Sequence, residues 1–192
     1  MRTIGIAIDI PEPWGSVLTR RRAAAGDPQA DFIPAHLTLL SPTQVAADRL
    51  DEIELHLARI ADSQPPFTLH LRGTGTFRPV TEVVFVAVAA GIGECERLAA
   101  AIGVNGAIQR RQTYPYHPHV TVAQDVAAEQ LDAAFADLAS FEARFPVAAF
   151  RLFEHDGDGR WLARREYPLT GTGTGSRLGS DAGLGAASAP GL

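Results

Sequence analysis

Hydrophobic and polar residues recur along this chain with two different periods. A period of two predicts strands, because successive side chains of a strand point to opposite faces of a sheet. A period near 3.6 predicts helices, and the clearest example is 48–61, with apolar residues at Leu50, Ile53, Leu57 and Ile60. The predicted strands are 2–10, 31–40, 67–71, 82–89, 116–123, 146–153 and 160–167. The predicted helices are 14–25, 48–61, 93–104 and 127–141.

Helices and strands alternate along the chain, but hairpin-like neighbours also occur, as around the turn Asp156–Gly159. This order is typical of an α+β fold rather than of a doubly wound parallel sheet. The pair Ser41-Pro42 is expected to close the second strand. In the last stretch seven of 22 residues are glycine, so we expect one domain over 1–170 and a flexible tail over 171–192.

The composition is that of a globular protein with a core of its own, since 46% of the 192 residues are hydrophobic and 20% are charged. The longest apolar stretch, 83–92, is about half of what a membrane span requires. Asp9 interrupts the N-terminal apolar run, which argues against a secretory signal. Cys95 is the only cysteine, which excludes an internal disulfide. We therefore expect a cytoplasmic monomer that does not bind membranes.

The net charge and the types of basic residue limit the kinds of partner that this protein can bind. Seventeen basic and 22 acidic residues give a net charge of −5, which disfavours a protein that coats long nucleic-acid duplexes. All 17 basic residues are arginine, and the predicted helix 14–25 is expected to carry Arg20, Arg21 and Arg22 on its exposed side. Without lysine there is neither a Schiff-base lysine nor a P-loop lysine. A bound phosphate would therefore be held by arginine, histidine, hydroxyl or backbone N–H groups.

Two tetrapeptides, 36–39 (HLTL) and 119–122 (HVTV), share one pattern: histidine, apolar, threonine, apolar. Each lies in a predicted strand, so its histidine and threonine share one face while the aliphatic residues point into the core. The two polar side chains then lie roughly 7 Å apart along the strand, close enough to hold one tetrahedral anion. The repetition predicts an internal duplication in which the two strands face each other across a cleft.

Paired histidines of this kind suit the cleavage of a phosphodiester or a cyclic phosphate. One imidazole, with a pKa near 6.5, can act as the base for the attacking oxygen, and the other as the acid for the leaving oxygen. The hydroxyls of Thr38 and Thr121 can donate hydrogen bonds to the non-bridging oxygens. This chemistry requires no metal. The catalytic hypothesis therefore assigns His36 and His119 as acid and base, and a non-catalytic nucleotide-binding module is the alternative.

A metal site is a second alternative, because His117 and His119 form an HxH pair that could bind a metal together with His36. No convincing carboxylate cluster accompanies them, and His117 could instead contact substrate or orient its loop. The segments Asp156–Gly159 and Gly73–Gly75 begin like an EF-hand loop and a dinucleotide-binding loop but lack the residues that must follow. We therefore predict neither a metal nor a cofactor.

The residues before the second tetrapeptide offer further candidates. Tyr114 and Tyr116 could stack on a base or pack in the core. Arg110 and Arg111 could steer an anionic substrate or be simply solvated. The residue types alone leave both choices open.

The two tetrapeptides, together with the segment RRQTYPYHPHVTVAQ at 110–124, resemble the 2H phosphoesterase superfamily. Within that superfamily, they resemble the 2′-5′ RNA ligase-like and RNA 2′,3′-cyclic phosphodiesterase proteins. The order of predicted elements is similar from about residue 2 to residue 169. The resemblance implies a two-lobed α+β fold with pseudo-twofold symmetry, in which mainly antiparallel sheets line a central cleft and helices lie outside.

The same resemblance implies metal-independent chemistry on a 2′,3′-cyclic phosphate or a 2′-5′ linkage. It implies that His36 is the proton donor and His119 the acceptor, and that Phe77 and Arg78 lie in a turn near the cleft. Tyr116 and His117 are the further candidates for substrate contact. The implied partner is a small nucleotide or an RNA end bearing a cyclic phosphate, and the lack of lysine argues against tight binding of large RNA.

Overall fold

The computed structural model describes residues 1–104, 106, 108 and 114–172. Its strands are β1 (Arg2–Asp9), β2 (His36–Val45), β3 (Phe67–Thr76), β4 (Val83–Ala90), β5 (His119–Gln124), β6 (Glu142–Val147), β7 (Ala149–His155) and β8 (Trp161–Pro168). Its α-helices are α1 (Trp14–Ala24), α2 (Leu50–Ser63), α3 (Ile92–Gly103) and α4 (Ala128–Asp137), and a 3₁₀ turn (Ala47–Arg49) precedes α2. Within the described ranges, no helix has the length and apolarity needed to cross a membrane.

The strands form two four-stranded sheets whose neighbouring strands are antiparallel. The first sheet has the order β2-β1-β7-β8 and the second has the order β5-β4-β3-β6. The strand that begins with the first tetrapeptide, β2, and the strand that begins with the second, β5, are each at an edge, and they contact each other. This arrangement confirms the predicted α+β fold with antiparallel sheets.

Two of the helices, α1 and α3, each connect the two sheets. Helix α1 follows the first sheet's β1 but packs on β5 of the second sheet, and α3 follows the second sheet's β4 but packs on β2 of the first. Each half therefore supplies the helix that covers the other half's motif strand. This exchange gives the two motif strands equivalent positions, as expected for pseudo-twofold symmetry.

Burial follows the predicted periods. Leu37, Leu39, Val120 and Val122, the aliphatic residues of the two tetrapeptides, are fully buried. The histidine and threonine of each tetrapeptide alternate with them and are half-buried. The core therefore anchors both motif strands through one face and leaves the polar residues on the other.

One predicted strand end is wrong. Ser41-Pro42 does not close β2, which continues to Val45. The proline is tolerated because β2 is an edge strand and because the register with β1 shifts between the pairs Ile6–Leu40 and Ile4–Thr43. A residue without an N–H group fits at such an irregularity, where a central strand would lose a ladder hydrogen bond.

The stretch predicted as one helix (127–141) and one strand (146–153) also folds differently. Helix α4 ends at Asp137, and the next residues form two strands, β6 in the second sheet and β7 in the first. The alternation changes phase between them: Phe145 and Val147 are buried, and the next buried large residue is Phe150. An odd spacing of three residues inverts the faces, so the chain crosses from one sheet to the other at this point. Similarly, β3 extends beyond its predicted end at residue 71 to Thr76.

The expectation that Arg22 is exposed is wrong. Arg22 follows the fully buried Leu18 by four residues, so both lie on the same face of α1. Its guanidinium is buried with the carboxylate of Asp27, at a distance of 2.7 Å from Nε to Oδ2. Asp27 also accepts a hydrogen bond from the backbone N–H of Gln29. The pair therefore fixes the start of the loop that leads from α1 to β2.

The predicted boundary at Gly171 lies beside the end of α2. The backbone N–H groups of Thr170 and Gly171 donate hydrogen bonds to the carbonyls of Ala61 and Gln64. The rest of the predicted tail, 173–192, lies outside the described residues. The tail itself remains a prediction.

Candidate active site

Each tetrapeptide presents its histidine at the first position of a strand, His36 in β2 and His119 in β5. His36 Nδ1 lies 2.8 Å from the carbonyl oxygen of Pro34, and His119 Nδ1 lies 2.7 Å from that of His117. A carbonyl can only accept, so Nδ1 donates in both cases. The neutral imidazoles therefore carry their proton on Nδ1 and present the lone pair of Nε2 for proton transfer.

The threonines share the faces of the histidines. In the first sheet, His36 is opposite Asp9 of β1 and Thr38 is opposite Ala7. In the second, His119 is opposite Ala87 of β4 and Thr121 is opposite Phe85. Side chains directly opposite each other in an antiparallel pair lie on the same side of the sheet. Each motif therefore presents an imidazole and a hydroxyl together, beside a small residue.

Three observations bring the two motifs together. The motif strands β2 and β5 contact each other. The hydroxyl of Tyr116, in the segment before β5, donates a 3.0 Å hydrogen bond to the carbonyl oxygen of Thr38 in β2. The positive charge of His36, when protonated, lowers the pKa of His119. Backbone contact and a direct hydrogen bond thus make the two motif strands neighbours, and the convergence of the two histidines on one phosphate stays a prediction.

The surroundings of His119 are aromatic. The ring of Phe77 meets the imidazole edge-on at 5.0 Å between centroids, and the ring of Phe85 lies at 5.2 Å. The ring of His117 lies at 6.3 Å and is nearly parallel to it. Burial lowers the pKa of His119, and the positive charges of His117 and His36 lower it further. The free site therefore favours the neutral imidazole.

The surroundings of His36 are charged. Burial lowers the pKa of His36, and the guanidinium of the buried Arg22 lowers it further. On the same face of the first sheet, Asp9 lies opposite His36 and forms a 2.8 Å ion pair with Arg151. Arg151 is also paired with Glu166 at 2.6 Å. A network of charged side chains thus borders the first motif, whereas rings surround the second.

Comparison with known proteins places the sequence that carries this site in one family. The model of the 2′-5′ RNA ligase superfamily matches residues 10–159, which include both motifs. The chain belongs to the 2′-5′ RNA ligase superfamily. This confirms the resemblance to 2H phosphoesterases that the sequence indicated.

Relatives and solved structures that resemble this chain are also known. A protein of Bacillus mycoides (strain KBAB4) named "Putative phosphoesterase" is 30% identical over 149 residues, which cover 74% of this chain and 83% of that protein. E. coli LigT, solved with 3′-AMP, superposes with a TM-score of 0.68 at 24% identity, covering 88% of this chain and 98% of that one. TT0787 of Thermus thermophilus superposes with a TM-score of 0.62 at 23% identity, covering 89% and 99%. The solved structures share the fold of this chain.

The remaining site candidates fall in different places relative to the superfamily's two motifs. Phe77 contacts the rings of both His117 and His119, at 5.6 Å and 5.0 Å. Arg78, although next to Phe77, directs its guanidinium to Asp132 in α4 at 2.7 Å. Phe77 thus lies at the second motif, whereas the guanidinium of Arg78 is held at α4.

The segment before the second motif is described only in part. Tyr114 is 57% exposed, whereas Tyr116 packs against the core and bonds to β2. Arg110 and Arg111 lie outside the described residues. In the part of the chain that the structure describes, no three histidine, cysteine or carboxylate side chains are grouped as a metal site would need.

Sequence patterns alone missed several residues on the face that carries the two motifs, namely Asp9, Phe85, Arg151, Trp161 and Glu166. A signal for the first existed: β1 alternates, so Asp9 must lie on the face opposite the isoleucines. No local signal reveals the others, because their neighbours come from strands distant in the sequence.

Proposed function

We propose that this protein is a metal-independent phosphoesterase that opens a 2′,3′-cyclic phosphate, or cleaves or joins a 2′-5′ linkage, with His36 and His119 as paired acid and base. The phosphate would bind between the two motifs, and the hydroxyls of Thr38 and Thr121 would hold its non-bridging oxygens. The substrate would be a small nucleotide or an RNA end.

One observation carries this proposal: both histidines have the same hydrogen bond. Each Nδ1 donates to the carbonyl two residues before it, which fixes the tautomer and the ring orientation. A structural histidine needs no such matched constraint at two sites. Two imidazoles that both present Nε2, on motif strands that contact each other, are suited to pass protons to and from opposite sides of one phosphate.

The hydrolytic step would proceed as follows. The neutral imidazole of His119 takes a proton from water as the water oxygen attacks phosphorus. The bond from phosphorus to one ribose oxygen breaks, and the protonated imidazole of His36 gives its proton to that oxygen. The product is a nucleoside monophosphate, and the two histidines exchange protonation states. The threonine hydroxyls stabilise the charge that develops on the non-bridging oxygens.

The negative charge of a bound phosphate would stabilise the protonated imidazole that acts as the acid. Both histidines have a lowered pKa in the free protein. An anionic phosphate between them favours the protonated form of a nearby imidazole. The acid is therefore charged most readily when substrate is bound.

The relatives support the substrate class. The Bacillus relatives carry names that describe phosphoesterases, and E. coli LigT has been solved with 3′-AMP, ATP and NADP⁺. These names and titles belong to those proteins. They make nucleotides the first compounds to test.

The test is turnover of a 2′,3′-cyclic nucleotide and of a 2′-5′-linked dinucleotide by the purified protein with and without EDTA. We expect turnover that EDTA leaves unchanged. His36→Ala and His119→Ala should each reduce it by roughly 10² to 10⁴. The control His70→Ala should not, because His70 bonds to Glu142 and belongs to neither motif. Nucleotide binding without turnover would favour a binding module, and loss of activity in EDTA would favour a metal site at the HxH pair.

The assignment of acid and base has its own test. A diester with a 4-nitrophenol leaving group needs little help from a general acid. Such a substrate should restore much of the activity of His36→Ala and little of that of His119→Ala. The reverse pattern would exchange the two roles.

A further inference from the structure

The face of the first sheet that carries the motif extends well beyond it. Along β1, the isoleucines at 4, 6 and 8 are buried in the core, so Gly5, Ala7 and Asp9 lie on the face that carries His36 and Thr38. Gly5 and Ala7 offer almost no side chain. On this face, β1 therefore has almost no side chains beside Thr38. Side chains that cover it must come from β7 and β8.

An aromatic side chain covers Gly5. Trp161 of β8 pairs with His155 of β7, and its ring reaches across β7 to β1. A Cβ atom built on Gly5 would lie 3.2 Å from Cζ3 and 3.6 Å from Cη2 of the indole. The indole thus lies against the bare backbone of Gly5, and Phe153 lies opposite Gly5 on the same face.

The glycine that the indole covers lies near Thr38 along the first sheet. Gly5 is two residues from Ala7, and Ala7 is directly opposite Thr38. Two residues of a strand span about 7 Å. A phosphate held at Thr38 would therefore place the rest of the same nucleotide within reach of the indole.

The second sheet also has a glycine covered by an aromatic ring, but other rings surround that ring. A Cβ atom on Gly75 would lie 2.6 Å from the ring of Phe85, so this ring too covers a glycine. Phe85 is only 5% exposed, because Phe77, His117 and His119 surround it. Trp161, in contrast, is half-buried and leaves part of its surface open. Of these two rings, only the indole keeps much exposed surface.

We propose that Trp161 is a specificity-determining residue that stacks on the base of the nucleotide whose phosphate lies between His36 and His119. This inference rests on the proposed function. Stacking on an aromatic side chain contributes about 1–3 kcal/mol per base and tolerates different bases. The protein would then prefer nucleotides to small phosphodiesters without a base, with little discrimination between purines.

Fluorescence gives a direct test that does not depend on catalysis. The chain has two tryptophans, and Trp14 is stacked on Phe145 at 5.6 Å. In Trp14→Phe, the emission reports Trp161 alone. We expect adenosine 3′-monophosphate to quench it with saturation, and inorganic phosphate to leave it unchanged although it competes for the same site. An emission unaffected by the nucleotide would overturn the inference.

Kinetics give the second arm. Trp161→Ala should raise KM for adenosine 2′,3′-cyclic monophosphate roughly tenfold to a hundredfold with kcat little changed. Trp161→Phe should recover most of the affinity, and the Ki of inorganic phosphate should not change in either variant. The matched control is Leu162→Ala, since Leu162 neighbours Trp161, is 56% exposed and lies on the opposite face. An unchanged KM in Trp161→Ala would overturn the inference.

The two arms separate this inference from the function on which it rests. Saturable quenching without turnover would retain the stacking surface and reject catalysis. Turnover with neither quenching nor a change in KM would retain catalysis and reject the role of Trp161. Neither quenching nor turnover would reject both.

Discussion

The two motif strands present the same residues in different surroundings. His36 in β2 lies near the buried Arg22, beside the ion pair of Asp9 and Arg151. His119 in β5 lies among aromatic rings and a second histidine. The backbone hydrogen bond to Nδ1 and the lowered pKa are common to both.

Some features are thus common to both histidines, and others belong to the surroundings of one histidine only. The shared features are a fixed tautomer, in which each imidazole presents Nε2 for proton transfer, and a pKa below the ordinary value of histidine. The features that differ come from residues outside the motifs: the guanidinium of Arg22 near His36, and the rings of Phe77 and Phe85 packed against His119. The two histidines should therefore be equally necessary but should respond differently when their neighbours are changed.

The largest effect should come from the histidines themselves. His36→Ala and His119→Ala should each reduce kcat/KM for a 2′,3′-cyclic nucleotide by roughly 10² to 10⁴, because each removes a general acid or base. The double variant should be little worse than either single one, since the pair acts as a unit. Steady-state kinetics with a thermal melt of each variant tests this. Near wild-type rates in one single variant would break the equivalence of the two motifs.

The threonines should show a smaller and matched effect. Thr38→Val and Thr121→Val keep the shape of the side chain and remove one donor to the phosphate, which should cost on the order of 10² in kcat. Measuring both under the same conditions compares the halves directly. A loss in one variant only would mean that a single hydroxyl holds the phosphate.

The pH profile of kcat/KM should have a bell shape whose maximum lies below about pH 6.5, the ordinary pKa of histidine. Burial lowers the pKa of both histidines in the free protein, and kcat/KM reports the free protein. The base is lost as pH falls and the acid is lost as pH rises, so lowering both pKa values moves the bell towards acid. A maximum well above that ordinary value would contradict this.

Removing the positive charge of Arg22 should change the two halves of the site differently. In Arg22→Met/Asp27→Leu both members of the buried pair are replaced, so that no carboxylate is left buried alone. Without the guanidinium, the pKa of His36 should rise and that of His119 should hardly change. NMR titration of the histidine ring protons measures both in one experiment. An equal rise in both would mean that Arg22 acts on the whole site.

The smallest effect should be on stability. Each histidine has a lower pKa when folded than the value of about 6.5 expected when unfolded, so the unfolded chain binds protons first as pH falls. Their contribution to stability is fully present above about pH 6.5 and is lost as pH falls through the lowered values. Urea denaturation at several pH values should show this loss, and His36→Asn/His119→Asn should show less of it.

The sequence alone determined the two-motif pattern and much of the fold. The period of two within each HxTx tetrapeptide put histidine and threonine on one face, because the side chains of any strand alternate. The helical period of 48–61 predicted the buried stripe that α2 shows. The phase change before Phe150 was also present in the sequence, but a local pattern could not tell that it marks a crossing between sheets.

Only the tertiary structure decided what surrounds the two motifs. Whether Arg22 faces solvent or Asp27, and whether the ring over Gly5 comes from Trp161, depends on which strands and helices become neighbours. Gly5 and Trp161 come from near opposite ends of the domain, and no local pattern encodes their contact. The face of a strand that a side chain occupies is readable from the sequence because it is local geometry. The charge, burial and ring contacts that tune His36 and His119 arise only when the two sheets meet.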